Sequence, residues 1–417
     1  MAMIQAKKLK SVNRNTLLVT VDMGKDSFSG YARCPDRSEV TSSDFTNNLS
    51  GFTRFWDILV RTQQARSLEQ MVLGFESTGP YAEPLMHFFK DKPVRLVQVN
   101  PMHTKRVKEL NGNSPNKTDK KDPKVIADII ELGHALTVVI PEGAAAELRR
   151  LTHARERTIK RRTALYNQLH DLVFLSFPEF LQVMKDIKTK SAQYLLRHHL
   201  GPADVMALNL AQLTRVLKRV SRGKLGADRA QALFEAAHSS VGICEGRLSV
   251  HLEIQTILEA IESCNRFVEQ LEGEMTRYLE EISYSHLLLS MKGLGTVTVA
   301  GLIGEVADFA HFDTQKELLK YAGLDLFEIS SGKHRGQRRI SKRGRPLLRK
   351  LLYFAALNTI RKGGIMHVHY QKHLAKGMLP IKALIAIARK LLGIMLALVR
   401  TQSEYVADQQ EELANAA

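Results

Sequence analysis

The sequence predicts an α/β domain followed by helical regions. Three observations carry that reading. Over residues 16–100, β-branched runs alternate with stretches of helical periodicity. Over 248–283, apolar residues recur every seven positions. From 287 to about 400 the apolar spacing is helical, interrupted by one basic, glycine-containing stretch.

In chain order, "TLLVTVDMG" (16–24) reads as a buried strand ending in Asp22, and "SFSGYARC" (27–34) as its hairpin partner. "LSGFTRFWDILVRTQQA" (49–65) has the period of a helix. "MVLGFESTG" (71–79) is a strand ending in Glu76. "YAEPLMHFFKD" (81–91) is a short helix and "VRLVQVNP" (94–101) a further buried strand. Residues 102–123 read as a polar loop rich in Asn, Lys and Pro. Pro123 then opens a helix whose apolar face is Val125, Ile126, Ile129 and Ile130. One long helix is expected from Glu142 to Phe177, its other faces rich in arginine.

Ile254, Ile261, Val268, Met275 and Ile282 mark a heptad, with Leu258, Asn265 and Leu279 in the matching second series and Glu272 breaking it. This is the pattern of a coiled coil fixed in register by Asn265, or of a long helix in a bundle. "LLLSMKGLGTVTVAGLIGEVADF" (287–309) reads as helix, Gly-Leu-Gly turn, helix. It is a helix-hairpin-helix whose turn amides face a phosphate, or a structural corner. "TQKELLKYAGL" (314–324) is another helix. The expected domains are thus 1–141, 142–286 and 287–401, with a frayed tail at 402–417.

The 417 residues carry a formal net charge of +17, which favours an anionic partner, nucleic acid first. Cys34, Cys244 and Cys264 form no CxxC pair, so zinc ribbons and disulfide scaffolds lack support and the chain reads as intracellular. No signal peptide is visible. "ALIAIARKLLGIMLALV" is broken by Arg389 and Lys390 and reads as a buried helix, with no membrane partner.

The carboxylates are the first chemical signal. Asp22 and Glu76 end strands, and Asp119 and Asp122 sit three apart before a helix. Strand ends bring side chains distant in sequence to one rim. Two unit charges about 4 Å apart repel by about 4 kcal/mol at an effective dielectric of ~20. Divalent cations relieve that cost, and oxygen ligands suit Mg²⁺ or Mn²⁺. A pair of such ions can serve phosphodiester chemistry. Strand–Asp, turn, strand, then strand–Glu, then Asp-x-x-Asp before a helix is the layout of an RNase H-like nuclease domain of the RuvC type.

These residues also carry a family resemblance over nearly the whole chain. "VDMGKDSF", "GFESTGPY" and "NKTDKKDPKVIADI" resemble the acidic motifs of the DEDD insertion-sequence transposases, the group that includes pilin-gene invertases and bridge-RNA-guided recombinases. "GLGTVTVAGLIGEVADFAHF", "YAGL", "ISSGKHRGQRRISKRGRPLLRKLLY" and "HYQKHLAKGMLPIKALIAIARKLL" follow in the family's order. The resemblance implies that Asp22, Glu76, Asp119 and Asp122 are catalytic metal ligands. It also implies a C-terminal transposase domain, DNA as donor and target, a non-coding bridge RNA, a homo-oligomer (dimer or tetramer) with shared sites, and a prokaryotic cytoplasm with its nucleoid as the setting. A metal-dependent Holliday-junction nuclease without a covalent intermediate is the alternative, and a non-catalytic nucleic-acid-binding factor is a weaker one, opposed by the four intact acids.

The second chemical signal is "FEISSGKHRGQRRISKRGRPLLRK", with nine Lys and Arg from Lys333 to Lys350 and no acid. Lys333, Arg335, Arg338, Arg339, Lys342 and Arg343 are expected to meet nucleic-acid phosphates. By chemistry alone Ser330 and Ser331 would bind phosphate through their hydroxyls. The resemblance instead makes Ser331 a nucleophile that forms a phosphoserine link, with Ser330 the adjacent candidate. His369 and His373 share a helix face, but with no accompanying carboxylate they make a weak metal pair, and Tyr370 reads as a packed aromatic.

Overall fold

The computed structural model describes residues 12–76, 79–112, 122–199, 201–328, 336 and 338–406. The first elements are β1 (Thr16–Met23), β2 (Ser27–Arg33), β3 (Glu39–Thr46), α1 (Leu49–Ala65), β4 (Gln70–Glu76), α2 (Glu83–Phe89), β5 (Arg95–Val99), α3 (Pro101–Gly112), α4 (Asp122–Glu131) and β6 (Leu136–Thr137). They form one six-stranded sheet in the order β3-β2-β1-β4-β5-β6. Pairing is antiparallel from β3 to β1, parallel from β1 through β4 to β5, and antiparallel at β6.

Alternation along β1 sorts the two cores. Leu17, Val19 and Val21 pack with Phe28, Phe52, Phe55 and Phe89 on the side of α1 and α2. Leu18 packs with Val72, Val97, Ile126 and Ile130 on the side of α4. At Gly74 of β4 a β-carbon would lie 2.1 Å from Ile130 Cδ1, so the terminal methyl of Ile130 occupies the space a side chain here would need. Arg33 of β2 ties the far end of α4 down, donating to Asp128 at 2.8 Å and Glu131 at 3.2 Å.

Two elements differ from expectation. Residues 101–112, read as loop, form α3. Asn100 starts it, its side-chain oxygen accepting from the Met102 N–H at 2.9 Å. β3, unread in the sequence, is a polar strand at the sheet edge.

The chain continues with α5 (Gly143–Ser176), α6 (Phe180–Val183), α7 (Lys190–His198), α8 (Pro202–Met206), α9 (Leu210–Ser221), α10 (Ala227–His238) and α11 (Arg247–Glu280). Residues 150–277 make one compact unit. In it α5 and α11 run antiparallel: Arg155 donates to Glu272 at 2.7 Å and Arg162 to Asn265 at 2.7 Å, one heptad forward on one helix and one back on the other. Ile254, Leu258, Ile261, Val268 and Met275 are buried. Ile254, Leu258 and Ile261 share a core with Leu169, Val173 and Phe177 of α5. The heptad seam is therefore closed by a helix of the same chain. Asn265 and Glu272, the polar breaks in the pattern, face arginines of α5.

The remaining elements are α12 (Ser285–Leu289), α13 (Thr296–Val306), α14 (Gln315–Ala322), β7 (Leu326–Phe327), β8 (Arg339–Ile340), α15 (Pro346–Thr359), α16 (His367–Ala375) and α17 (Pro380–Thr401). They belong with residues 1–149 to the other unit, around the buried α17. The Gly-Leu-Gly segment links α12 to α13 as expected. A β-carbon at Gly304 of α13 would lie 2.6 Å from the Arg149 backbone nitrogen, and the Arg149 guanidinium donates to the carbonyls of Gly304 and Glu305 at 2.8 and 3.0 Å. No helix among the described residues is long and apolar enough to cross a membrane.

Candidate functional site

The acids gather at the C-terminal ends of the two central parallel strands. Val21 of β1 is paired with Phe75 of β4, so the next step sets Asp22 beside Glu76. By alternation both fall on the sheet face that carries Thr20 and Gly74, which is the face α4 covers. The Thr20 hydroxyl donates to the Pro123 carbonyl at 2.6 Å, a buried bond that fastens the first turn of α4 to β1. Asp122 opens that turn. The register, the missing side chain at Gly74 and the Thr20 bond thus bring Asp22, Glu76 and Asp122 to one rim.

Asp22 and Glu76 are half-buried, and Asp122 is 7% exposed. Asp122 is paired with Lys108 of α3, Nζ to Oδ2 2.5 Å. That ammonium sits against the carboxylate as a bound cation would, and a buried charge needs such a counter-charge. Lys108 escaped the sequence reading because its helix was taken for loop. Asp119 lies outside the described residues. Among the described residues no group of three His, Cys, Asp or Glu side chains could hold a metal ion, so Asp22, Glu76 and Asp122 share a sheet edge without forming a ligand cluster. The donor set at the rim, all carboxylate oxygen, fits a hard divalent cation. His369 and His373 lie on α16 and belong to no ligand group.

The basic segment is built differently. β7 and β8 pair through Leu326–Ile340 and Phe327–Arg339 and bracket the residues between them. Ser330, Ser331, Lys333 and Arg335 lie outside the described residues. Arg338, Arg339, Lys342 and Arg343 are described and exposed, and Arg338 pairs with Glu328 at 3.0 Å across the base of the ribbon.

The ribbon is anchored below. Ser341 N–H donates to the Asp325 carbonyl at 2.7 Å, Lys342 N–H to Gly323 at 3.0 Å and Arg345 N–H to Tyr321 at 3.0 Å. A β-carbon at Gly344 would lie 2.3 Å from the Tyr321 carbonyl oxygen. Beneath it Arg345 bonds the buried Glu305 carboxylate at 2.7 Å. These anchors carry no signal in the sequence, where Arg345 is one more cation in a basic run.

One electrostatic link joins the two regions. His103 of α3 is held below the ordinary imidazole range by burial first, then by His134, Arg343 and Arg106.

Against known proteins, two family models match this chain. A transposase model of the IS110 DEDD type matches residues 19–178, and a transposase model of the IS116/IS110/IS902 family matches residues 285–371, together more than half the chain. The uncharacterized 43.6 kDa protein of insertion element IS110 from Streptomyces coelicolor is 22% identical over 92% of this chain and 94% of its own length. The uncharacterized 44.8 kDa protein of insertion element IS116 from Streptomyces clavuligerus is 24% identical over 94% of this chain and 96% of its own. The transposase for insertion sequence element IS1111A from Coxiella burnetii is 24% identical over 75% of this chain and 73% of its own.

Proposed function

The chain belongs to the IS110 family of insertion-sequence transposases, enzymes that act on DNA by strand transfer, and we propose that it recombines DNA with a carboxylate rim and a serine nucleophile. The observation that carries this is the shared rim. Asp22 and Glu76 stand on neighbouring strands, and α4 is fastened so that it begins with Asp122 on the same face. Three antiparallel strands leading into a parallel pair, with acids at the strand ends, support an RNase H-like reading of the sheet.

Asp22, Glu76, Asp119 and Asp122 would hold Mg²⁺ or Mn²⁺, which when bound supplies positive charge for phosphodiester chemistry. The chain's own groups do the rest. Ser331 Oγ attacks phosphorus, the phosphorus–oxygen bond to a sugar breaks, and the link passes to serine with its bond energy kept for rejoining. The serine proton goes to a nearby base or water, and the leaving sugar oxygen gains one. Lys333, Arg335, Arg338, Arg339, Lys342 and Arg343 hold the strand by its phosphates. DNA as donor and target, and a bridge RNA that reads sequence by base pairing, suit the net charge of +17. A homo-oligomer, dimer or tetramer, is part of the same reading. It forms through surfaces other than the heptad seam, which α5 fills.

The test is incubation with branched or nicked DNA and Mg²⁺, followed by a denaturing gel. A band of protein joined covalently to DNA is expected. Cut DNA with no such band would replace this reading with a metal-dependent junction nuclease.

A further inference from the structure

The two matched models leave residues 179–284 uncovered, a stretch that holds the helices α6 to α11. There the unit opens into a cavity of about 560 Å³ between the α6–α7 connection and the α9–α10 connection. That volume is in the ordinary range for a small-molecule site. Its lining brings together five cationic side chains and one carboxylate, Asp186. Asp186 also shapes its own turn, accepting from the Lys188 N–H at 2.9 Å. Arg229 donates to the Val183 carbonyl and is part of the wall. Lys185, Lys190, Arg222 and Lys224 are exposed at the mouth. Met184, Val220 and Leu225 give the cavity an apolar floor.

Arg222 adds a second, independent observation. It closes α9 with φ of 52°, a left-handed conformation, and Gly223 follows at 82°. Helices that end this way place glycine there, because a β-carbon is disfavoured. Here the strained position is occupied by an arginine that lines the cavity. The cavity thus has at its edge a cation held in a backbone conformation that favours glycine.

A cationic mouth above an apolar floor matches one chemical class: phosphate at the rim, a flat ring below. We propose that this cavity binds a nucleotide, free or as one unit of a single strand, with its phosphate on Lys185, Lys190, Arg222 and Lys224 and its base against Met184, Val220 and Leu225. The site shares no residue with the carboxylate rim or the basic ribbon, and no step of strand transfer is needed to detect it.

The experiment is photolabelling of the full chain in two arms, with 8-azidoadenosine monophosphate and with a single-stranded oligonucleotide carrying 5-iodouridine, followed by peptide mapping. Label is expected on the peptides that carry Met184 and Val220–Leu225. The arm that labels them assigns the source as free nucleotide or strand. Arg222→Gly relieves the left-handed strain, so its Tm should be equal or higher while labelling falls roughly tenfold, the cost of one charge-assisted contact. Lys185→Gln with Lys224→Gln should weaken labelling again in an unaltered fold. No label on these peptides in either arm, or label indifferent to Arg222→Gly, overturns the proposal. Loss of the covalent DNA adduct with labelling intact would instead count against the strand-transfer reading alone.

Discussion

The carboxylate rim and the basic ribbon are built on opposite principles. The rim is positioned by buried structure: strand register sets Asp22 beside Glu76, and a buried hydroxyl and a bare glycine seat α4. The basic segment is framed by two strands of two residues each, with Arg338, Arg339, Lys342 and Arg343 exposed and backbone anchors in the Tyr321–Arg345 region. The contrast teaches that acids brought to one edge are held by buried structure, whereas the described cations of the basic segment are left exposed on the surface.

Four variants can break or sharpen that contrast. The largest effect is expected at the rim. Asp22→Asn removes one charge from the oxygen donor set and should lower strand cleavage by roughly a hundredfold, with DNA affinity and Tm retained. Cleavage at the wild-type rate would remove Asp22 from the site.

Next is Gly74→Ala, which touches no acid. Its β-carbon would lie 2.1 Å from the terminal methyl of Ile130, which must turn into the core or carry α4 with it. Overpacking of this kind costs about 1–3 kcal/mol, and cleavage should fall with it because Asp122 moves. A stable protein with full cleavage would mean the seating of α4 does not set the rim.

The ribbon should answer differently. Arg338, Arg339 and Lys342 replaced together by Gln should leave Tm unchanged. The slope of log affinity against log salt should flatten by roughly 0.7–0.9 per lost phosphate contact. An unchanged slope would place these cations away from nucleic acid.

The smallest effect concerns pH. His103 is depressed, by burial first, so the unfolded chain takes up its proton more readily than the folded one. As pH falls through about 6.5, stability is lost until the folded value is passed. His103→Gln should flatten that decline in Tm. A decline left intact would assign it elsewhere, for instance to His199, which burial also depresses.

Much of the sheet was legible because its strands alternate or run apolar: β1, β2, β4 and β5 stand where the β-branched runs lie, and α1 spans the residues its period marked. β3 was not legible, since "EVTSSDFT" at an edge needs little apolar character. α3 was hidden by its sparse apolar content, and Lys108 with it. The heptad in α11 was visible, but spacing alone does not say whether the facing helix belongs to the same chain. The short helices between 180 and 240 are amphipathic over too few turns to stand out. Of the candidate site, Asp22, Glu76 and Asp122 were legible as acids at element ends. Thr20, Gly74 and Arg345 were not, because their roles arise from tertiary neighbours.

The most direct measurement of the central claim sets one rim variant against two serine variants. Wild type, Asp22→Asn, Ser331→Ala and Ser330→Ala are incubated with the same branched DNA and Mg²⁺, and the covalent protein–DNA band is quantified on a denaturing gel. Both Asp22→Asn and Ser331→Ala should lose the band while still binding DNA, and Ser330→Ala should keep it. A band that survives in Ser331→Ala, or in Asp22→Asn, would contradict the account that rim and ribbon make one catalytic centre.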